Sequence, residues 1–368
     1  MRKFALALPL MLLIASCSEK TTYFQTEIST IPEPNETIEI EAEKVGNDNV
    51  FSQFFAVYDT LLISSRPNSN DCFFDVVNLK NDELIGSFLH RGQGPSEYLG
   101  LNPILRFEHK GDDLVALTFE PTKHQLIEWN ITKSLETKSD SVICLGNYQL
   151  PIDCSEVYQG IYAIGNGEYL GQHNGGTDYG NTDFYAGLPK YWILEGAEAV
   201  PSRSFTVFKD LKFKIDLDKG PQVPMDFYYS SAWTLSPDNS KIFDAMNLFN
   251  QINIFDLQTN EVSSYRIKGS PSEGDLKYGV EDFEKNYGQY TDVVCNDSAV
   301  YALYFGEPSI TYRDTKGCFW LHEFDWNGNF KKKYRLPISI MRLWLDPSSD
   351  TLYGYCEPQD AVYKLNVE

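Results

Sequence analysis

The chain has 368 residues, is 42% hydrophobic with 23 Tyr and 23 Phe, and carries a formal charge of −21. So acidic a surface repels phosphate backbones and anionic lipid heads, which sets nucleic acid aside as a partner. A chain of this length also builds a core large enough to need no disulfide staples.

Arg2 and Lys3 precede a largely apolar run from Phe4 to Ala15, the layout of a signal peptide, and the run is too short to span a bilayer as a helix. Ile14-Ala15-Ser16-Cys17 resembles a lipobox. Residues 1–16 are therefore expected to be removed and Cys17 to be acylated. The protein would then sit in the cell envelope on the outer membrane, facing the periplasm or the surface and touching the membrane through its lipid alone. Losing Arg2 and Lys3 takes the charge to −23. Residues 17–36 are polar, threonine-rich and punctuated by Pro32 and Pro34, which reads as a flexible tether.

From Thr37 the pattern changes to short runs dense in Val, Ile, Phe, Tyr and Trp, bounded by Asn, Asp, Gly and Pro, and no long helical period develops. Phe74–Leu84 superposes without gaps on Ile252–Val262: a strand, an Asn-Leu or Asp-Leu step, a polar turn and the next strand. Weaker copies occur at Glu128–Ile131, Phe324–Asn329 and Lys364–Val367. An Asp or Asn at that place can bond its own backbone. A second turn precedes each copy, at Asp59, Asp113, Gly165–Gly167, Pro237–Asn239, Asn296–Ser298 and Pro347–Asp350. These turns recur every roughly 50 to 70 residues, enough for one four-stranded sheet with its loops. The wider gap between Gly167 and Asp238 implies insertions at 171–190 and around 209–229. Residues 37–368 are thus expected to form an all-β, six-bladed β-propeller. The last repeat ends after its third strand, so alternating residues 37–43 are expected to close the ring by joining the C-terminal blade.

The segment His90-Arg91-Gly92-Gln93-Gly94-Pro95-Ser96-Glu97-Tyr98 resembles the Gly-x-Gly-Pro-Gly-Glu-Phe/Tyr stretch of TolB-like six-bladed β-propeller lipoproteins of Gram-negative envelopes, with Ser96 in place of the third glycine. The resemblance implies a propeller and an envelope location and brings no catalytic residues with it. Apart from Cys17 there are six cysteines, widely spread, without CxxC spacing and mostly inside strand-like runs. Buried free thiols are expected; Cys144 and Cys154 are the one close pair.

Two segments are candidate binding loops. Arg91, Glu97 and Tyr98 would offer a charge pair and a stacking ring beside glycines that allow close approach, although the similar Lys268–Glu273 run argues that such segments shape the joint between blades. His173, Asp178, Tyr179, Asp183 and Tyr185 lie in a polar, aromatic insertion of the kind that contacts carbohydrate. The histidines at 90, 109, 124, 173 and 322 are scattered, and no nucleophile, phosphate or metal motif appears. No cofactor and no metal are assigned. The function expected is a monomeric binding module for an envelope protein or glycan; the alternative is a polymer-degrading hydrolase or lyase with a carboxylate or calcium site in the channel.

Overall fold

The computed structural model describes Phe24 and residues 26–46, 52–66, 69–147, 158–173, 190–195, 200–206, 228–277 and 280–367. The leader and Cys17 lie outside the described residues. Three N-terminal strands, β1 (Ile28–Ile31), β2 (Thr37–Glu39) and β3 (Ala42–Val45), precede six small sheets. Blade one holds β4 (Phe55–Tyr58), β5 (Leu61–Ser65), β6 (Cys72–Asn78) and β7 (Glu83–His90). Blade two holds β8 (Arg106–Lys110), β9 (Asp113–Glu120), β10 (Gln125–Asn130) and β11 (Val142–Asn147). Blade three holds β12 (Tyr158–Gly165), β13 (Glu168–His173), β14 (Tyr191–Glu195) and β15 (Val200–Phe205). Blade four holds β16 (Ser231–Leu235), β17 (Lys241–Met246), β18 (Gln251–Asp256) and β19 (Val262–Ile267). Blade five holds β20 (Tyr287–Cys295), β21 (Val300–Pro308), β22 (Cys318–Phe324) and β23 (Phe330–Ile340). Blade six holds β24 (Arg342–Leu345), β25 (Leu352–Cys356) and β26 (Ala361–Leu365), completed by β3. Each blade is an antiparallel meander, and the ring is a six-bladed propeller.

All six first hairpins fall where the sequence places them, and in blades four, five and six they are Asx turns, with Asp238, Asn296 and Asp346 accepting the amides of Ser240, Ser298 and Ser348. Asp59, Asn166, Asn239 and Asp350 take positive φ, which short polar side chains tolerate. In the outer hairpins Asn78 Oδ1 accepts the Lys80 amide, and Asp256 Oδ1 accepts those of Gln258 and Thr259. Blade two departs from the pattern. Asn130 does not start a short turn but caps a helix, α1 (Ile131–Thr137), by accepting the Lys133 amide. The same Asn that nucleates a turn satisfies an orphan helix N–H when good helix formers follow.

Blades stack through rings. Trp129 is fully buried, lies parallel to Phe74 of blade one at 5.7 Å between centroids, and donates its indole N–H to Ser134 of α1. Phe243 of blade four meets Phe324 of blade five, and Tyr191 of blade three meets Phe255 of blade four. These flat side chains fill the wedge between twisted sheets.

Closure uses more of the N-terminus than expected. β3 pairs antiparallel with β26, as the incomplete last blade demands, while β2 adds in parallel to β23 of blade five and β1 adds in parallel to β19 of blade four. The stretch read as a tether over 17–36 therefore contains a strand. Phe24 is buried among Tyr229 and Phe249, and Ile28 is buried as well. The apolar residues at 24, 28 and 31 sit too far apart to show as a strand run among the surrounding threonines and prolines.

Edges divide accordingly. The outermost strands without a further partner among the described residues, β7, β11 and β15, each carry a β-bulge in their last ladder. The covered strands β19 and β26 are regular, and β23 is regular where β2 lies on it. Bulges blunt an open edge against pairing with another chain, and a strand laid over the edge makes them unnecessary. No helix among the described residues is long and apolar enough to cross a membrane.

Two outcomes follow for stability. Phe24→Ala should cost about 3 kcal/mol, read as a lower urea midpoint at unchanged slope. His322 is buried between Tyr304 and Phe330, at 4.3 and 4.4 Å between ring centroids, and burial, helped by Lys333, holds its pKa well below the ordinary 6.5. Below pH 6.5 the unfolded chain takes up a proton that the fold refuses, so stability falls as pH drops, by up to about 1.4 kcal/mol per unit. His322→Phe should flatten the urea-midpoint profile between pH 7 and 5.

Candidate functional site

The first strand of every blade lines the axis. These strands all run from one face, called upper here, where the chain passes between blades. Two cavities open along the axis: an upper one of about 540 Å³ and a lower one of about 520 Å³. They meet at a waist of Leu105, Tyr162, Trp233, Asp292, Leu343 and Trp344, contributed by blades two to six.

The waist is pre-organised. Trp233 donates its indole N–H to Gln172 Oε1 at 2.5 Å and packs edge-on against Tyr162 at 4.9 Å. Trp344 donates to the Val57 carbonyl at 2.8 Å and meets Phe107 at 5.7 Å. With their N–H groups engaged and other rings packed on them, the two indoles are held in place. Burial pushes the Tyr162 hydroxyl up to about 12.

Above the waist the lining turns polar: Gln53, Asn102, Ser231, Asn247, Thr291, Asp292 and Arg342. Asp292 accepts the Leu343 amide at 2.6 Å, and Arg342 lies 3.7 Å away. Burial raises the Asp292 pKa while Arg342 opposes the rise. The Asn247 side-chain carbonyl and Arg342 Nε are enclosed without a hydrogen-bond partner among the described residues.

Ser231 stands where this wall meets a buried ion pair. Its hydroxyl donates to Asp244 at 2.7 Å and accepts from Lys190, whose ammonium lies 2.6 Å from the same carboxylate. Tyr191 donates to that oxygen at 2.7 Å, and Asn253 donates to the other at 2.9 Å. Four donors compensate the desolvated carboxylate.

The lower cavity is more apolar, lined by Phe107, Leu235, Val293, Val294, Leu345 and Pro347. Arg106, paired with Glu108, reaches Asn239 of the blade-four turn at 3.0 Å and so bridges two blades that are not neighbours. The Cys295 thiol there is pushed up to about 12 by burial. Among the described residues no group of three or more His, Cys, Asp or Glu is gathered to hold a metal ion.

Of the sequence-derived candidates, the described ones, Arg91, Glu97 and Tyr98, lie away from both cavities. Arg91 lies over the Phe73 ring and donates to the Arg66 carbonyl at 2.9 Å. Glu97 folds back to accept the Gly94 amide at 2.8 Å, and Arg91 and Tyr98 pair as a bridge. Gly92, at φ 154°, leaves no room for a Cβ beside the Glu97 carboxylate. The segment is thus a clasp joining blades one and two, its polar groups turned on one another. His173 ends β13, and its side chain lies outside the described residues, as do Asp178, Tyr179, Asp183 and Tyr185. The waist and the upper wall went unnoticed because their residues sit one or two to a blade, tens of positions apart. The available signal was an aromatic in a first strand, as at Trp233 four residues before Pro237 and Trp344 three before Pro347.

No protein-family model matches the chain, and no curated protein does. Solved structures do. A member of the DUF4221 family from Bacteroides vulgatus superposes with a TM-score of 0.61 at 10% identity, covering 90% of this chain and 99% of that one. A protein of Bacteroides fragilis described as exported superposes at 0.51 with 11% identity, covering 92% and 99%. The likeness is one of fold.

Thiol chemistry checks this geometry. Cys144 is exposed while Cys72, Cys318 and Cys356 are buried. Cys144→Ser should remove one equivalent of the fast reaction with Ellman's reagent in the native state, and the buried three should react only on unfolding.

Proposed function

We propose that this chain is a lipid-anchored envelope protein whose propeller binds a neutral glycan in the upper cavity of its channel. The observation that carries the reading is the pair of fixed indoles at the waist, Trp233 and Trp344, beneath a wall of amide, hydroxyl and opposed charged groups. A sugar ring offers apolar C–H faces to indoles and hydroxyls to amides, which is what this lining complements. The size agrees: small-molecule sites run from about 300 to 1,000 Å³. Neutrality follows from charge, since Arg342 offsets Asp292 at the wall and the surrounding field of an acidic chain disfavours polyanions.

Binding is preferred over cleavage on one point. A glycosidase of the usual kind needs two carboxyls about 5 to 10 Å apart across the bond. The described lining of the upper cavity holds one, Asp292, already tied to the Leu343 amide. The envelope location rests on the leader and lipobox, on the glycine-rich segment similar to TolB-like lipoproteins, and on the exported description of the Bacteroides fragilis protein.

Titration calorimetry with neutral oligosaccharides cut from glucans, xylans, mannans and chitin tests the ligand. One class should bind, and Trp233→Ala or Trp344→Ala should weaken it at least tenfold, about 1.4 kcal/mol, with the fold intact by circular dichroism. Silence across the panel would overturn the glycan assignment. For the anchor, Cys17→Ala should move the protein from the membrane pellet to the soluble fraction after osmotic lysis.

A further inference from the structure

The buried carboxylate beside the cavity also faces the opposite way. Asp244, Asn253 and Ser264 sit opposite one another on β17, β18 and β19, a rung crossing blade four, and β1 continues that rung with Ile28 opposite Ser264. Asp244 and Asn253 are fully buried and Ser264 nearly so. Three polar side chains in line across a sheet core require a hydrogen-bonding reason, since apolar ones would pack there at lower desolvation cost.

The bonds are continuous. Thr26 Oγ1 lies 2.6 Å from Ser264 Oγ, Ser264 donates to Asn253 Oδ1 at 2.8 Å, and Asn253 donates to Asp244 Oδ1 at 2.9 Å. Ser264 has one hydroxyl proton and gives it to Asn253, so in the first contact Thr26 is the donor. From the cavity side Ser231 donates to Asp244 Oδ2. Both branches therefore donate to one carboxylate, at its two oxygens; polarisation runs along each branch, and because both hold the same group, the position of Asp244 set from one side is felt at the other.

We propose that the N-terminal strap and the upper cavity wall form one coupled unit, joined through Thr26, Ser264, Asn253, Asp244 and Ser231, so that a ligand touching Ser231 tightens the docking of the strap on blade four. The coupling rests on the reading of the upper cavity as a ligand site. By reciprocity, loosening the strap weakens the ligand by the same factor. The neighbouring pairing on blade five is of another kind: β2 lies on Lys333–Arg335 with Ile38 opposite the buried Tyr334, and the Glu33–Lys333 salt bridge flanks it.

Amide hydrogen exchange on the full chain without ligand reads the coupling from both ends. Ser231→Ala should speed exchange of Ile28–Ile31 at least threefold while leaving Thr37–Glu39 unchanged, and Thr26→Val should speed exchange of Ser231–Trp233. Tyr191→Phe, which removes another donor to the same carboxylate oxygen, replaces Ser231→Ala if that variant fails to fold, with the same expectation at Ile28–Ile31. Effects confined to the neighbourhood of each substitution would overturn the proposal. Because no ligand enters this experiment, its failure leaves the calorimetric result standing, and silence in calorimetry leaves the exchange result standing.

Discussion

A ring of sheets holds only if its ends are fastened, and here the fastening is strand pairing by three N-terminal strands. β3 completes blade six, and β2 and β1 extend the hold backward over blades five and four. The channel depends on this, because the waist is assembled from blades two to six and its two indoles are fixed by partners in other blades: Gln172 for Trp233 and Val57 for Trp344. A breathing ring would misplace both.

The split between bulged and covered edges shows how the fold handles the backbone groups that a ring of separate sheets leaves open. The ladders of β19 and β26 are regular beneath the strands laid on them, that of β23 is regular over the residues β2 covers and interrupted on either side, and the open β7, β11 and β15 each end in an interrupted ladder. Pairing and protection are alternative answers to the same exposed N–H and C=O groups.

The fold was legible in the sequence because propeller turns are local. Asp or Asn at a turn acts on the two or three residues that follow, and so Asp59, Asp238, Asn78 and Asp256 mark hairpins without any knowledge of the rest. Closure was legible from a count of strands. The strap over blade four was not, since Phe24, Thr26 and Ile28 gain their meaning from Tyr229, Ser264 and Phe249, more than two hundred positions away. The channel lining was hidden for the same reason. Local richness in glycine and charge pointed to Arg91, Glu97 and Tyr98, which the structure spends on a joint, while the convergent wall draws single residues such as Asn247 and Arg342 from blades that never adjoin in sequence.

The order of the strap pairings also fixes the path of any mechanical load. The chain approaches from its N-terminal side at blade four, whereas the ring is locked at blade six. A pull on the residues ahead of Phe24 meets the aromatic socket first, then β1, then the Glu33–Lys333 link and β2, before it reaches β3. The fasteners lie in series, and the one whose loss would open the ring comes last, so the outer two act as sacrificial links that absorb tension while the barrel of blades stays shut.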